Sequence, residues 1–321
     1  MSSVITTDGV AITIEHSRGP TTKRDAPVVI VCHGFVQNRF AFEAPARSLL
    51  EQLRSLGVCV AVIELRGRTG TDMVHGLHEY TDLDAPAVIA ALAQRHSKVA
   101  WLGHSMGGLI AALLPPAARD QLAAVVTIGA PLLPGRAGLH CFGGRSTSLL
   151  MRLARAAHAR GRRFRGRLVS NGLHALRGLL DVPWLPAPLR LWAPGSIGAD
   201  ALAFSLTRSF TDDSYAVFAD LLELVVTDGA RAGRIDAGER LAAFTRPILV
   251  IAGELDDLAP PSAARPLFER VGSVHKEYLE IGAAMGTKAG HLDLLVGHAA
   301  PALVWPPIAR FLRRHLALSA P

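Results

Sequence analysis

The chain has 321 residues, half of them hydrophobic and 19% charged. An apolar fraction this high can offset the chain entropy lost on folding, so general disorder is excluded and a sizeable core is implied. Thirty Gly and twenty Pro without a G-X-Y period exclude a collagen-like fibre. The net charge is +7, and it is local. Residues 132–200 hold eleven Arg against Asp181 and Asp200, a balance of +9, which leaves the rest of the chain near neutral.

Three cysteines, Cys32, Cys59 and Cys141, do not make a disulfide framework. Cys32 and Cys59 sit in apolar runs, are expected to be buried thiols, and suit a reducing, cytoplasmic setting. Met1–Pro20 has no basic stretch leading into an apolar one, so no signal peptide is read there. Val99–Ala118 lacks formal charge over the length of a membrane span. The glycines and polar residues at 103–108 and Pro115-Pro116 would break such a helix, so a transmembrane reading is rejected.

In chain order, largely apolar runs predict strands at Val28–Cys32, Val58–Ile63, Lys98–Leu102, Ala123–Ile128 and Pro247–Ala252, and a sixth strand is read at Glu277–Ile281. Runs apolar on both faces belong in a buried parallel sheet. Helical spacing separates them at Pro45–Leu56 (with Gly57 as its stop), Ala85–Gln94, Leu109–Leu114 and Trp305–Leu318. This alternation predicts an α/β doubly wound sheet with helices on both faces. It stops between Pro131 and Arg246. Residues 132–245 read as a helical, Arg-rich insertion, with helices at Leu149–Ala159, Leu168–Leu180, Ala201–Phe210 and Tyr215–Val226. The expected organisation is therefore a core of residues 1–131 and 246–321 interrupted by that insertion.

Gly103-His104-Ser105-Met106-Gly107-Gly108 follows a strand and opens an apolar helix. A turn this sharp admits only small residues two before and two after the Ser. It would lift the Ser105 hydroxyl clear of the sheet and aim the Met106 N–H at a developing oxyanion. His33-Gly34-Phe35 follows the first long strand, and the Phe35 N–H is the expected second donor. A nucleophilic Ser needs a base, and the base an orienting carboxylate. Of three acids at the end of the fifth predicted strand, Asp256 is preferred, since it leaves the strand three residues after Gly253 and four before Pro260. Asp257 is expected to cap the next helix or face solvent. His291, in Gly290-His291-Leu292-Asp293 between the last strand and last helix, is the expected base. His298 is its rival. His104 is expected to point away from Ser105, and His33 to be a structural hydrogen-bonding residue.

The chain order Ser105, Asp256, His291 and the elbow around Ser105 resemble the α/β-hydrolase superfamily over residues ~25–131 and ~246–318. The resemblance implies an eight-stranded, mostly parallel sheet, a Ser–His–Asp triad and an insertion placed where the family carries a lid. His33-Gly-Phe-Val-Gln-Asn38 and Gly290-His-Leu-Asp-Leu-Leu are similar to a bacterial group related to polyhydroxyalkanoate synthases and lipases. Those polyester synthases are implied to use Cys at the elbow. Ser at 105 favours hydrolysis instead, and argues against relatives that need a carboxylate nucleophile.

No H-E-x-x-H, no paired C-x-x-C, no P-loop and no G-x-G-x-x-G after a strand occurs, so neither a metal nor a cofactor is expected. Three readings of the Arg cluster at 152–167 stay open. One is a lid helix with its apolar face over the site and its Arg face in solvent. The second is contact with an anionic lipid surface, and the third is recognition of an anionic substrate such as a CoA-linked acyl group. Nucleic acid is not expected, because the aromatic interleaving of a stacking platform is missing. The expected function is hydrolysis of a small-molecule or lipid-like carboxylic ester or thioester with an apolar acyl part, through an acyl-enzyme on Ser105. The alternatives are an acyltransferase using the same triad and a silent binding protein of the same fold.

Overall fold

A computed structural model describes residues 1–20, 22–68, 75–133, 143–185, 187 and 189–318. Cys141, Arg136 and the rest of 134–142 in the expected insertion lie outside the described residues. The centre of the fold is an eight-stranded sheet: β1 Ser2–Ile5, β2 Ala11–Arg18, β3 Val28–Cys32, β4 Cys59–Glu64, β5 Val99–His104, β6 Leu122–Ile128, β7 Ile248–Gly253 and β8 Lys276–Ile281. Its spatial order is β1-β2-β4-β3-β5-β6-β7-β8. From β4 to β8 the pairs are parallel, with Val28 opposite Cys59 and Val99, and Ile248 opposite Val125 and Lys276. At the far edge β2 is antiparallel to β4, and β1 to β2.

Every residue of β3, β5 and β7 is buried, as continuous apolar strands covered on both faces must be. Side chains alternate between two apolar layers. Ile30, Trp101 and Val250 pack on one side with α2 (Ala85–Ala93) and α3 (Met106–Ala112). Val29, Val31 and Leu102 pack on the other with α1 (Leu49–Arg54) and the C-terminal helix Trp305–Leu316. The predicted helix at Pro45–Leu56 starts later than expected. The Ser48 hydroxyl accepts the Glu51 N–H at 3.2 Å and caps it there, and Gly57 at φ +80° ends it. Val99–Ala118 divides into β5, the turn at Ser105 and α3; among the described residues no helix is long and apolar enough to cross a membrane.

Between β6 and β7 the described chain is mostly helical: α4 Gly143–Ala159, α5 Gly166–Ala175, α6 Arg177–Leu180, α7 Ala199–Arg208 and α8 Tyr215–Val226. The inner side of α4 packs on α8, and Arg155 reaches Glu223 at 2.8 Å across that contact. The outer side of α4 departs from the amphipathic division expected of a lid helix. Leu149 and Leu153 are exposed, and they share their stripe with Arg145 and Arg152 rather than facing inward.

Candidate active site

Ser105 stands between the last residue of β5 and the first of α3, at φ +54° and ψ −125°. This backbone conformation is strained for a residue with a Cβ and persists only where its surroundings enforce it. Here the enforcement is steric and hydrogen-bonded. A Cβ on Gly103 would lie 2.2 Å from the Gly107 carbonyl carbon, and one on Gly107 would lie 2.3 Å from the Cys32 oxygen. The Ser105 N–H donates to the Ile128 carbonyl at the end of β6, at 2.8 Å. Met106 opens α3, so its N–H is among the first-turn amides left without an intrahelical acceptor.

His291 and Asp256 meet at 2.6 Å, His291 Nδ1 to Asp256 Oδ2. A buried carboxylate can only accept, so Nδ1 carries the proton and Nε2 is left as a base. The other carboxylate oxygen of Asp256 accepts the N–H groups of Leu258 (2.9 Å) and Ala259 (2.8 Å). Asp256 is 1% and His291 4% exposed. Gly129, just past β6, lies against this pair: a Cβ there would stand 3.2 Å from Asp256 Oδ2 and 3.3 Å from His291 Nδ1. Ile128 thus holds the Ser105 amide while its neighbour Gly129 makes room for the pair, so the end of β6 joins the Ser105 turn to His291 and Asp256. Asp257 neither caps the next helix nor stands free. Its carboxylate accepts the Arg190 N–H of the insertion at 2.7 Å. His298 bonds through Nδ1 to Arg47 instead.

The loop after β3 passes directly over Ser105, since a Cβ at Gly34 would be 2.9 Å from Ser105 Cβ. Phe35 follows at that closest approach. Gln37 ties this loop to the elbow, its side-chain oxygen accepting from the Gly34 N–H (3.1 Å) and from His104 Nδ1 (2.9 Å). His104 points away from solvent into this contact, with its ring centroid 4.5 Å from that of His291. Burial holds the His104 imidazole well below its ordinary pKa, and His291 beside it adds to the effect. His33 is fully buried, with its pKa lowered by burial to about 3. It donates from Nδ1 to the Gly34 carbonyl (3.0 Å) and accepts the Leu65 N–H (3.4 Å), a structural role in the neutral tautomer.

Sequence reasoning missed the residues by which the insertion grips these loops. Val36 has φ +52°, a costly conformation for a β-branched residue. Its N–H donates to the Asp213 carboxylate (3.1 Å), and its carbonyl accepts the Thr211 N–H (2.8 Å). Buried Arg68 closes the arrangement, donating to Asp213 and, from Nε, to the Gln37 carbonyl at 2.8 Å. Burial alone would raise the Asp213 carboxyl, but the Arg68 guanidinium overrides it and holds the group well below the ordinary range. Because the native pKa is depressed, this stabilisation is complete above about pH 4 and fades as pH falls further. Asp213→Asn leaves Arg68 buried without a counter-charge. It should destabilise the protein by about 3 kcal/mol and slow turnover through the loosened Phe35 loop. A lower urea midpoint at unchanged slope checks the first effect, and kcat the second; an unchanged midpoint would refute this assignment.

Asp293 does the same for the His291 loop. Its carboxylate accepts the N–H groups of Gly290 (2.8 Å) and Ala193 (2.9 Å) and the Ser196 hydroxyl. Burial raises its pKa to about 6. The Leu292 N–H donates to Leu191 at 2.8 Å. Among the described residues, no cluster of three or more His, Cys, Asp or Glu is arranged to hold a metal ion.

Comparisons with known proteins agree with this architecture. The family model of the alpha/beta hydrolase fold matches residues 27–284. No curated protein matches the chain. Among solved structures, the chain is similar to the monoacylglycerol lipase of Paleococcus ferrophilus, with 16% identity and a TM-score of 0.65 over 95% of this chain and 99% of that one. It is also similar to a thermophilic esterase from Thermogutta terrifontis (19% identity, TM-score 0.61, 98% of both chains). The enol-lactonase of Burkholderia xenovorans matches over 97% of this chain and 99% of its own, with 15% identity and a TM-score of 0.56. With its parallel sheet, the strained turn at Ser105 and the family match over most of its length, the chain belongs to the α/β-hydrolase fold family.

Proposed function

We propose that this protein is a serine hydrolase that cleaves a carboxylic ester or thioester through an acyl-enzyme on Ser105. The observation that carries the reading is the His291–Asp256 pair, packed against Gly129 beside the strained elbow of Ser105. His291 takes the hydroxyl proton as Ser105 Oγ attacks the carbonyl carbon, and returns it to the leaving group as the tetrahedral adduct collapses. Asp256 holds the imidazole in the tautomer with a free Nε2 and stabilises the imidazolium. The N–H groups of Phe35 and Met106 receive the oxyanion, at ~3–4 kcal/mol for one such donor. Water, activated by the same His291, then releases the acid and restores the hydroxyl.

The apolar acyl preference is supported by aromatic rings beside the Phe35 loop. Phe35 stacks on Phe218 at 5.9 Å between centroids and meets the edge of Phe164 at 5.1 Å. Phe164 and Tyr215 extend the group at 5.4 Å, and all four rings are half-buried. They would wall an acyl chain under the insertion, which we read as a lid. The buried free thiols Cys32 and Cys59 support a reducing, cytoplasmic setting.

A series of neutral esters and thioesters of increasing acyl length tests the reading on pure protein. Free acid as the product, a covalent acyl adduct on Ser105 and a kcat/KM that rises with acyl length are expected. Preferential transfer of the acyl group to an added alcohol would replace hydrolysis by acyl transfer. Absence of turnover with an intact fold would leave the binding-protein reading.

A further inference from the structure

Fourteen large hydrophobic side chains are exposed among the described residues, and eight of them fall within residues 149–189. The same stretch is the basic one: residues 143–190 contain ten Arg and a single acid, Asp181. The two kinds of residue share surface rather than segregating. Along α4, Arg145, Leu149, Arg152 and Leu153 follow one another at helical spacing on the exposed side, and Arg160 continues the line just past the helix. On α5, Leu168 is 70% exposed with Val169 beside it, and Leu176 and Leu179 continue outward on the next turns. Trp184, at the Pro-rich bend, is 82% exposed.

Six of these arginines have no carboxylate beside them among the described residues. Among the described residues, no carboxylate lies within 4 Å of Arg145, Arg152, Arg160, Arg162, Arg167 or Arg177, whereas Arg155 and Arg165 are paired with Glu223 and Asp212. A solvated basic face has no use for bare leucines among its charges, and a nucleic-acid face would present aromatic or hydrogen-bonding side chains there instead. Leucine and valine beside guanidinium groups, with an exposed indole, match the boundary between headgroups and acyl chains of a bilayer.

We infer that the outer face of the insertion docks on an anionic lipid surface. Arginine forks hold lipid phosphates while Leu149, Leu153, Leu168 and Trp184 enter the acyl boundary. This inference stands on the surface of the insertion alone and does not need the proposed catalytic residues.

Flotation of the full chain with vesicles tests it. Vesicles of phosphatidylcholine with 30 mol% phosphatidylglycerol (~0.1 M salt) are compared with phosphatidylcholine alone. Wild type should float with the anionic vesicles at least ~10-fold better than with the neutral ones, and lose most of that advantage at ~0.5 M salt. Two variants separate the contributions: Arg152→Gln/Arg160→Gln/Arg162→Gln and Leu149→Ser/Leu153→Ser/Leu168→Ser. Each should lower the partition constant at least ~10-fold while leaving the circular-dichroism spectrum and the turnover of a soluble short-chain ester unchanged. A wild type that stays with neither vesicle overturns the inference. So does equal binding to both vesicles, or retention by either variant. A lipid-free dimer abolished by the Leu substitutions would reassign the face to a second copy of the chain.

Discussion

Ser105→Ala should lower kcat at least ~10³-fold, a loss of about 4 kcal/mol of transition-state stabilisation, and leave the fold intact. The elbow conformation at φ +54° is set by the approach of Gly103 and Gly107 to their neighbours and by the Ser105 N–H bond to Ile128, not by the hydroxyl. Alanine keeps the Cβ and the amide, so the turn, the His291–Asp256 bond and the position of the Phe35 loop should all survive. What disappears is the atom that attacks. Whatever rate remains would come from water held near the same donors. A fluorophosphonate probe should label the wild type at Ser105 alone. Thermal unfolding should separate lost chemistry from lost structure. Labelling of the variant at the wild-type rate would sink the nucleophile assignment.

Much of the fold was legible because burial on both faces writes itself as unbroken apolar runs, and five of the six parallel strands are read that way within one or two residues; the sixth, Lys276–Ile281 at the sheet edge, buries only Ile281. The antiparallel pair at Ser2–Ile5 and Ala11–Arg18 was not read. It lies at the edge of the sheet, where only Ile12 and Ile14 of the second strand are buried, so a strand of this kind leaves almost no apolar signal. The candidate triad was legible because each member follows a strand, and strand ends in this fold carry the reacting groups. The residues that hold its loops were not. Asp213, Arg68, Asp257 and Asp293 reach Val36, Gln37, Arg190 and Ala193 across 31 to 177 residues of sequence, through contacts that no local spacing announces. One signal was available. Asp212-Asp213 is a pair of adjacent acids just before a helix, beyond the stretch 143–190 with its ten Arg and one acid, and such a pair invites the question of its partner.

These long-range contacts share a logic. The segment 190–196 of the insertion holds the acid turn through Asp257 and the His291 loop through Asp293, and the segment 208–213 holds the loop after β3 through Val36 and Asn38. The insertion is thus bonded to the carboxyl-end loops that carry Asp256, His291 and Phe35. The Asp213 experiment probes one of these bonds directly.

Asp256→Asn and Asp257→Asn should diverge by orders of magnitude although they are adjacent and lose the same charge. Asp256 receives three hydrogen bonds: His291 Nδ1–H on one oxygen, Leu258 and Ala259 N–H on the other. An amide at 256 would keep its oxygen toward the two backbone donors, because turning it would set its NH₂ against both. Its NH₂ would then face His291 Nδ1, which must give up its proton and accept. The proton moves to Nε2, the nitrogen that has to be bare to deprotonate Ser105, and kcat should fall of order 10⁴-fold, as for a triad carboxylate converted to its amide. Asp257 accepts one N–H, from Arg190. An asparagine oxygen can accept it equally well, so this variant should stay within about 10-fold of wild type, the scale of one neutral hydrogen bond. Titration of the imidazole by NMR adds a readout independent of turnover: the Nδ1–H signal should vanish in Asp256→Asn and persist in Asp257→Asn. Equal losses in the two variants, or a greater loss at 257, would overturn the choice of carboxylate and with it the tautomer on which the proposed base depends.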